Sequence, residues 1–132
     1  MTASHAAQRL GIDNTIPAEA RVRLMLLVSE LLDPLRRFLG EPVHVKSGYR
    51  CRELNTAIGG SRNSDHVEGR AADIKVSGCS SLDLAKAVIL SELSFDQLIW
   101  YDEARGGHVH VSYVSPAENR GQVLHAPAAG GY

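Results

Sequence analysis

Cysteine is scarce. Cys51 and Cys79 are the only two in 132 residues, too few for a disulfide scaffold and too far apart for the paired-thiol spacing of a zinc knuckle, so two free thiols are expected. An excess of charge of one sign is also missing. Lys and Arg total 14 against 15 Asp and Glu, giving a formal net charge of -1. That balance leaves no electrostatic footprint for nucleic acid or an anionic membrane surface. No stretch approaches the ~20 apolar residues of a membrane span, and residues 1–9 lack the basic-then-apolar order of a secretory signal. Internal repeats and a regular strand–helix–strand alternation are absent too, which excludes solenoids and doubly wound parallel sheets.

What is present is 44% hydrophobic content in a chain long enough to bury roughly two-thirds of its unfolded surface. One domain over residues 1–132 is expected, with no disulfide needed for stability. Thr15-Ile-Pro17 reads as a helix entry, with Glu19 suiting the positive dipole end. Over Ala18 to Leu32, Val22, Met25, Leu26 and Leu32 recur at helical spacing. Leu24, Leu27, Val28 and Leu31 widen that stripe, which makes this the most buried helix. Pro34 is expected to kink or end it, with a further turn over Leu35 to Leu39 before Gly40.

Pro42 to Gly48 switches to period two and reads as a strand, which puts Arg50 just past a strand end. Arg52 to Ile58 reads as a short helix and Gly59 to Ser64 as a loop. Ala72 to Val76, Gln97 to Tyr101 and His108 to Tyr113 read as strands. Ser80 or Ser81 caps a helix whose apolar face is Leu84, Ala85, Val88, Ile89 and Leu93. Residues 115–132 read as an irregular arm with one short strand over Gln122 to His125 and a mobile end at 128–132. The fold class is therefore α+β: a small, mainly antiparallel sheet packed with N-terminal helices and one inserted helix.

Three of the six histidines stand out. His108 and His110, two apart on one strand, address the same side of a sheet, and His66 precedes the strand that carries Asp73. Two imidazoles and a carboxylate, with a fourth position left for water, form the donor set of catalytic zinc. Read on spacing alone, His108 and His110 also fit a half-buried strand edge, Asp73 a capping residue and Arg50 a surface ion pair.

The surrounding residues add to this. Ser47-Gly-Tyr-Arg50, Leu54-Asn55, Gly59-Gly60, the string Ser64-Asp-His66-Val-Glu-Gly69-Arg-Ala-Ala-Asp73-Ile74, Gln97-Leu-Ile99 and His108-Val-His110-Val-Ser112 stand in an order that resembles the zinc D-Ala-D-Ala carboxypeptidase family. The likeness is greatest to its small single-domain phage and bacterial members and runs from about Arg9 to Arg120. It implies a Hedgehog/D-Ala-D-Ala peptidase-like fold, Zn²⁺ on His66, Asp73 and His110, and Arg50 and His108 as catalytic and substrate-binding groups. Gly69 would permit close backbone approach between two ligands, and Ser64 would orient His66 or its loop and line the substrate site.

One position departs from the family pattern. An acidic general base is usual three residues before the last histidine ligand, and here that residue is Gly107. Asp102 and Glu103 are the candidates to replace it, with Glu68 a weaker one, and His108 is able to shuttle protons itself. The implied reaction is metal-assisted hydrolysis of peptidoglycan stem peptides by a carboxypeptidase or related endopeptidase, such as a phage lysin. No nucleic acid or membrane partner is implied, and oligomeric state is not legible. A protein made in the cytoplasm would reach the cell wall or periplasm after release or by separate export. Two other readings stand beside it: a zinc-stabilised binding or structural module without catalysis, and an Fe(II) oxygenase, whose facial triad uses the same ligand types but for which the chain predicts too few strands.

Overall fold

Pro17 caps the first helix. Its carbonyl accepts the Arg21 N–H at 2.9 Å, so proline's missing donor falls where none is needed. In this computed structural model, which describes residues 15–58 and 64–127, helix α1 (Ala18–Leu27) runs into a π-helical turn (Val28–Leu32) and on into α2 (Asp33–Leu39). The junctions stay right-handed helical, so Pro34 does not end the helix, one of the two outcomes the sequence allowed. The wide turn explains why: Asp33 N–H reaches back five residues to the Val28 carbonyl, shifting the hydrogen-bond register just before the residue that has no donor. Gly40, in the left-handed region at φ 68°, closes α2.

The buried face of this long helix is Ala20, Leu24, Leu27, Leu31, Leu32 and Leu35. Val22, Met25 and Leu26, expected in the stripe, face outward at 59%, 64% and 41% exposure. With apolar residues on nearly every side, periodicity leaves the helix's rotation open, and packing against the sheet selects Leu24, Leu27, Leu31 and Leu35.

The sheet has the order β1-β2-β4-β3-β5, with β1 at His44–Ser47, β2 at Ala71–Lys75, β3 at Gln97–Tyr101, β4 at Val109–Ser112 and β5 at Gln122–Ala126. Every pairing is antiparallel except β3 with β5. Between the strands lie α3 (Arg52–Ala57), α4 (Asp65–Glu68) and α5 (Ser81–Leu90), the last capped by the Ser80 hydroxyl, which accepts from Asp83 N–H. The architecture is α+β, as the pattern of elements predicts. The expected loop over 59–63 and the mobile end over 128–132 lie outside the described residues.

Strand alternation divides the sheet into two faces. Ala72, Ile74, Val76, Leu98, Val109, Val111 and Tyr113 join the core with Leu27, Leu31, Leu35, Leu84 and Val88. The other face carries Asp73, Lys75, His110, Ile99 and Tyr101, so the chemistry-bearing side chains lie opposite the core. Asp96, just before β3, holds the chain that leads into β5: its carboxylate accepts from the Arg120 backbone N–H, Nε and guanidinium NH2 at 3.1, 2.9 and 2.8 Å.

Two predictions test this packing. Leu31→Ala should lower unfolding free energy by about 2–5 kcal/mol while Met25→Ala costs under about 0.5 kcal/mol, read by chemical denaturation; equal losses would contradict the assigned face. Hydrogen bonding from Arg120 holds the Asp96 carboxyl below its ordinary value against the opposing effect of burial. Its stabilising contribution is therefore complete above about pH 4 and is lost as pH falls through the depressed folded-state value. Asp96→Asn should destabilise the protein at pH 7 by about 1–3 kcal/mol and by progressively less below pH 4.

Candidate metal centre

Register builds the site. In the β2–β4 pair, Asp73 stands directly opposite His110, and opposed residues of an antiparallel pair project from the same face. The Asp73 Oδ1 to His110 Nδ1 distance is 3.1 Å. His108, two residues earlier and just before β4, shares that face and brings Nε2 to 4.0 Å from Asp73 Oδ2.

The third ligand candidate comes from α4. Ser64 caps this helix by accepting the His66 backbone N–H at 3.2 Å, so its hydroxyl orients the helix start rather than the imidazole. Gly69 ends it at φ 76°. A Cβ on Gly69 would lie 2.4 Å from the Ala20 carbonyl oxygen of α1. The close approach that requires glycine is therefore to the long helix, not between two ligands as the sequence suggested. Docked in this way, α4 turns His66 Nε2 to 3.3 Å from Asp73 Oδ1. The other ring nitrogen, Nδ1, donates to the Gly48 carbonyl at 2.7 Å, which leaves Nε2 its lone pair.

His66, Asp73 and His110 thus present three ligand atoms within 4.8 Å of one another. His66 is buried and the other two are half-buried. The set fits a divalent ion of intermediate softness such as zinc: two neutral imidazole donors, one anionic oxygen, and a histidine whose second nitrogen is already tied to a carbonyl. Burial disfavours the charged Asp73 carboxyl, yet its close contacts with the His110 and His66 rings outweigh that and hold the group well below the usual carboxylate range. It is ionised at neutral pH, as ligation requires.

Arg50 reaches the site from the turn after β1, where its backbone N–H donates to the His66 carbonyl at 3.1 Å. Its Nε is buried without a hydrogen-bond partner, and its guanidinium makes no ion pair among the described residues. Burial lowers its affinity for the proton while the charges of Asp73 and Tyr101 raise it. Its fork of donors is thus available for a ligand carboxylate or carbonyl. Tyr101 stacks on His108 with ring centroids 4.3 Å apart, and the Arg105 guanidinium lies over the Tyr101 ring, 5.3 Å from its centroid. Burial pushes the His108 imidazole below its ordinary value despite the attraction of Asp73, so it is neutral at pH 7.

The acids expected to replace the missing base are each engaged elsewhere. Asp102 Oδ1 meets His125 Nε2 at 2.6 Å, clasping β3 to β5. Glu103 Oε1 accepts the Ser81 N–H at the start of α5, 3.0 Å away, while its Oε2 crowds the place where a Cβ on Gly107 would stand, 2.0 Å away. Glu68 pairs with Arg23 at 3.4 Å and Arg52 at 3.8 Å. Two contributors escaped the sequence reading. The Gly48 carbonyl has no side chain to notice, and Tyr101 is placed by the β3–β4 hairpin, where its N–H donates to the His108 carbonyl.

A sequence model of the family described as Peptidase M15 matches residues 1–112, and the chain belongs to that family. It is also 34% identical over 88 residues to the UvrABC system protein C of Xylella fastidiosa (strain 9a5c), a match covering 63% of this chain and 14% of that protein. The chain thus spans a small fraction of that relative's length. Among the described residues, no helix is long and apolar enough to cross a membrane.

His66→Ala and Asp73→Ala should each abolish retention of a stoichiometric zinc ion, measured by elemental analysis after desalting, with the fold kept by circular dichroism. Full zinc in His66→Ala would contradict the ligand assignment.

Proposed function

We propose that this chain is a zinc-dependent peptidase acting on peptidoglycan stem peptides, as a D-Ala-D-Ala carboxypeptidase or a related endopeptidase. The observation that carries the reading is the juxtaposition of the His66, Asp73 and His110 ligand atoms with an unpartnered buried arginine nitrogen beside them. A zinc ion held by these three residues would polarise the scissile carbonyl and acidify a water molecule.

The remaining roles fall to the chain's own groups. Arg50 binds the substrate's carboxylate or scissile carbonyl through its free donors and carries positive charge toward a developing oxyanion. Ser64, two residues before His66, is assigned a further substrate contact. His108, neutral and held against Tyr101, accepts a proton at Nε2 and, once protonated, donates to the oxyanion or leaving amine. Glu103 and Asp102 support this arrangement, Glu103 by standing beside Gly107 and Asp102 by fixing the end of β3. The lost acid at Gly107 favours one other reading, a zinc-stabilised module that binds cell-wall peptides without cleaving them.

Mass spectrometry of a cross-linked muropeptide digest, with and without a chelator, separates the two: the peptidase releases D-Ala or splits a stem peptide only when zinc is present, and a binding module releases nothing. Arg50→Ala should keep its zinc and lose about 10²–10³ in turnover, the scale of removing one oxyanion donor. His108→Gln should lose about 10²–10⁴, the usual contribution of a positioned acid or base. A loss of that size in Glu103→Gln with near-normal His108→Gln would transfer the proton-accepting role to Glu103.

A further inference from the structure

Beyond His108 the catalytic face of the sheet continues into a cavity of about 330 Å³, and among its lining residues are His44, Lys46, Lys75, Cys79, Glu103 and Gly107. Lys75 follows Asp73 by two residues on β2 and so projects from the same face, about 7 Å further along the strand. His44 stands opposite Lys75 in the β1–β2 register and shares that face. Gly107, in the lining, immediately precedes His108 in the chain.

The charges here are unbalanced. Lys75 is half-buried, and neither it nor Lys46 forms an ion pair among the described residues, whereas Arg23, Arg36, Arg52 and Arg120 all do. Lys46 is exposed, and two ammonium groups lining one cavity without a paired carboxylate attract an anion that enters it. Glu103 is the carboxylate within the lining. It accepts the Ser81 N–H in the first turn of α5, where the helix dipole holds its charge. Burial pushes the Cys79 thiol up, with Asp83 and Glu103 adding to the effect, so Cys79 stays neutral.

We propose that this cavity is an anionic subsite, in which Lys75 and Lys46 take a carboxylate carried by the substrate peptide within about two residues of the bond cleaved. The inference rests on the peptidase reading and sharpens it. Arg50 holds one polar group of the substrate on the α4 side of the metal ligands, and the two lysines hold an acidic group on the other. The preferred substrate is then an acidic peptide, extended along β2, rather than a neutral one.

The test uses two stem-type peptides that are identical except for a carboxylate or a carboxamide at that position. The zinc-loaded wild-type protein should show kcat/KM about tenfold higher for the carboxylate peptide, the scale of one charge-assisted contact at a half-exposed site. The preference should shrink with added salt. The Lys46→Gln/Lys75→Met double variant should bring the ratio close to one, and Lys75→Arg should keep it. Equal handling by the wild type, or a preference that survives in the folded double variant, overturns the subsite. Calorimetric titration of both peptides reads the same preference without turnover. Selective binding without cleavage would sustain the subsite and end the peptidase reading, while indiscriminate cleavage would do the reverse.

Discussion

The antiparallel register between β2 and β4 is the constraint on which the site depends. It sets Asp73 across from His110, and every other functional group is positioned relative to that pair. A slip of β2 by one residue would turn Asp73 into the core and bring Ala72 or Ile74 outward, parting it from His110. The register is protected by the same alternation that defines the site: Ile74, Val109 and Val111 are wholly buried on the opposite face, so displacing the ligands would also expose the core. Core burial therefore enforces the geometry of two candidate metal ligands from the opposite face of the sheet.

Electrostatics reinforces that geometry. Asp73 is the single acid among three imidazoles, and its attraction to His66 and His110 outweighs the burial that opposes its charge. Arg50 lies near enough to feel the same carboxylate, yet its Nε remains unsatisfied. Charge is thus balanced around the ligands and left uncompensated toward the substrate, which is where differential binding can act on a reaction.

The strands were legible because each is short, alternates in character and is bounded by turn residues. Gln97–Tyr101 has the boundaries that alternation predicts, and Ser80 caps α5 as its residue type requires. The rotation of α1 was not legible, since Val22 and Met25 are as apolar as Leu24 and Leu27, and only the sheet decides between them. Pro34 does not end the helix because a π-turn relieves the lost hydrogen bond through backbone geometry that no residue type announces. Helix α4 has four residues, too few for periodicity, although Ser64 and Gly69 at its two ends are the residues a cap and a left-handed terminus require. For the site, strand alternation put His108 and His110 together, and the ordered string from Ser64 to Asp73 set His66 beside them. The Gly48 carbonyl and the Tyr101 stack arise from tertiary packing and leave no trace in spacing.

The contact between Gly69 and the Ala20 carbonyl gives the three ligand candidates unequal tenure. Asp73 and His110 are laced together by the sheet's own ladder, whereas His66 sits on a single helical turn wedged against α1 and tied by hydrogen bonds to Gly48 and Arg50. Agitation that pries that turn loose would shed one coordinating imidazole while the strands stay zipped. The hold on an ion at these candidates would thus depend in part on how tightly the first helix grips, a mechanical dependence that runs through one residue without a side chain.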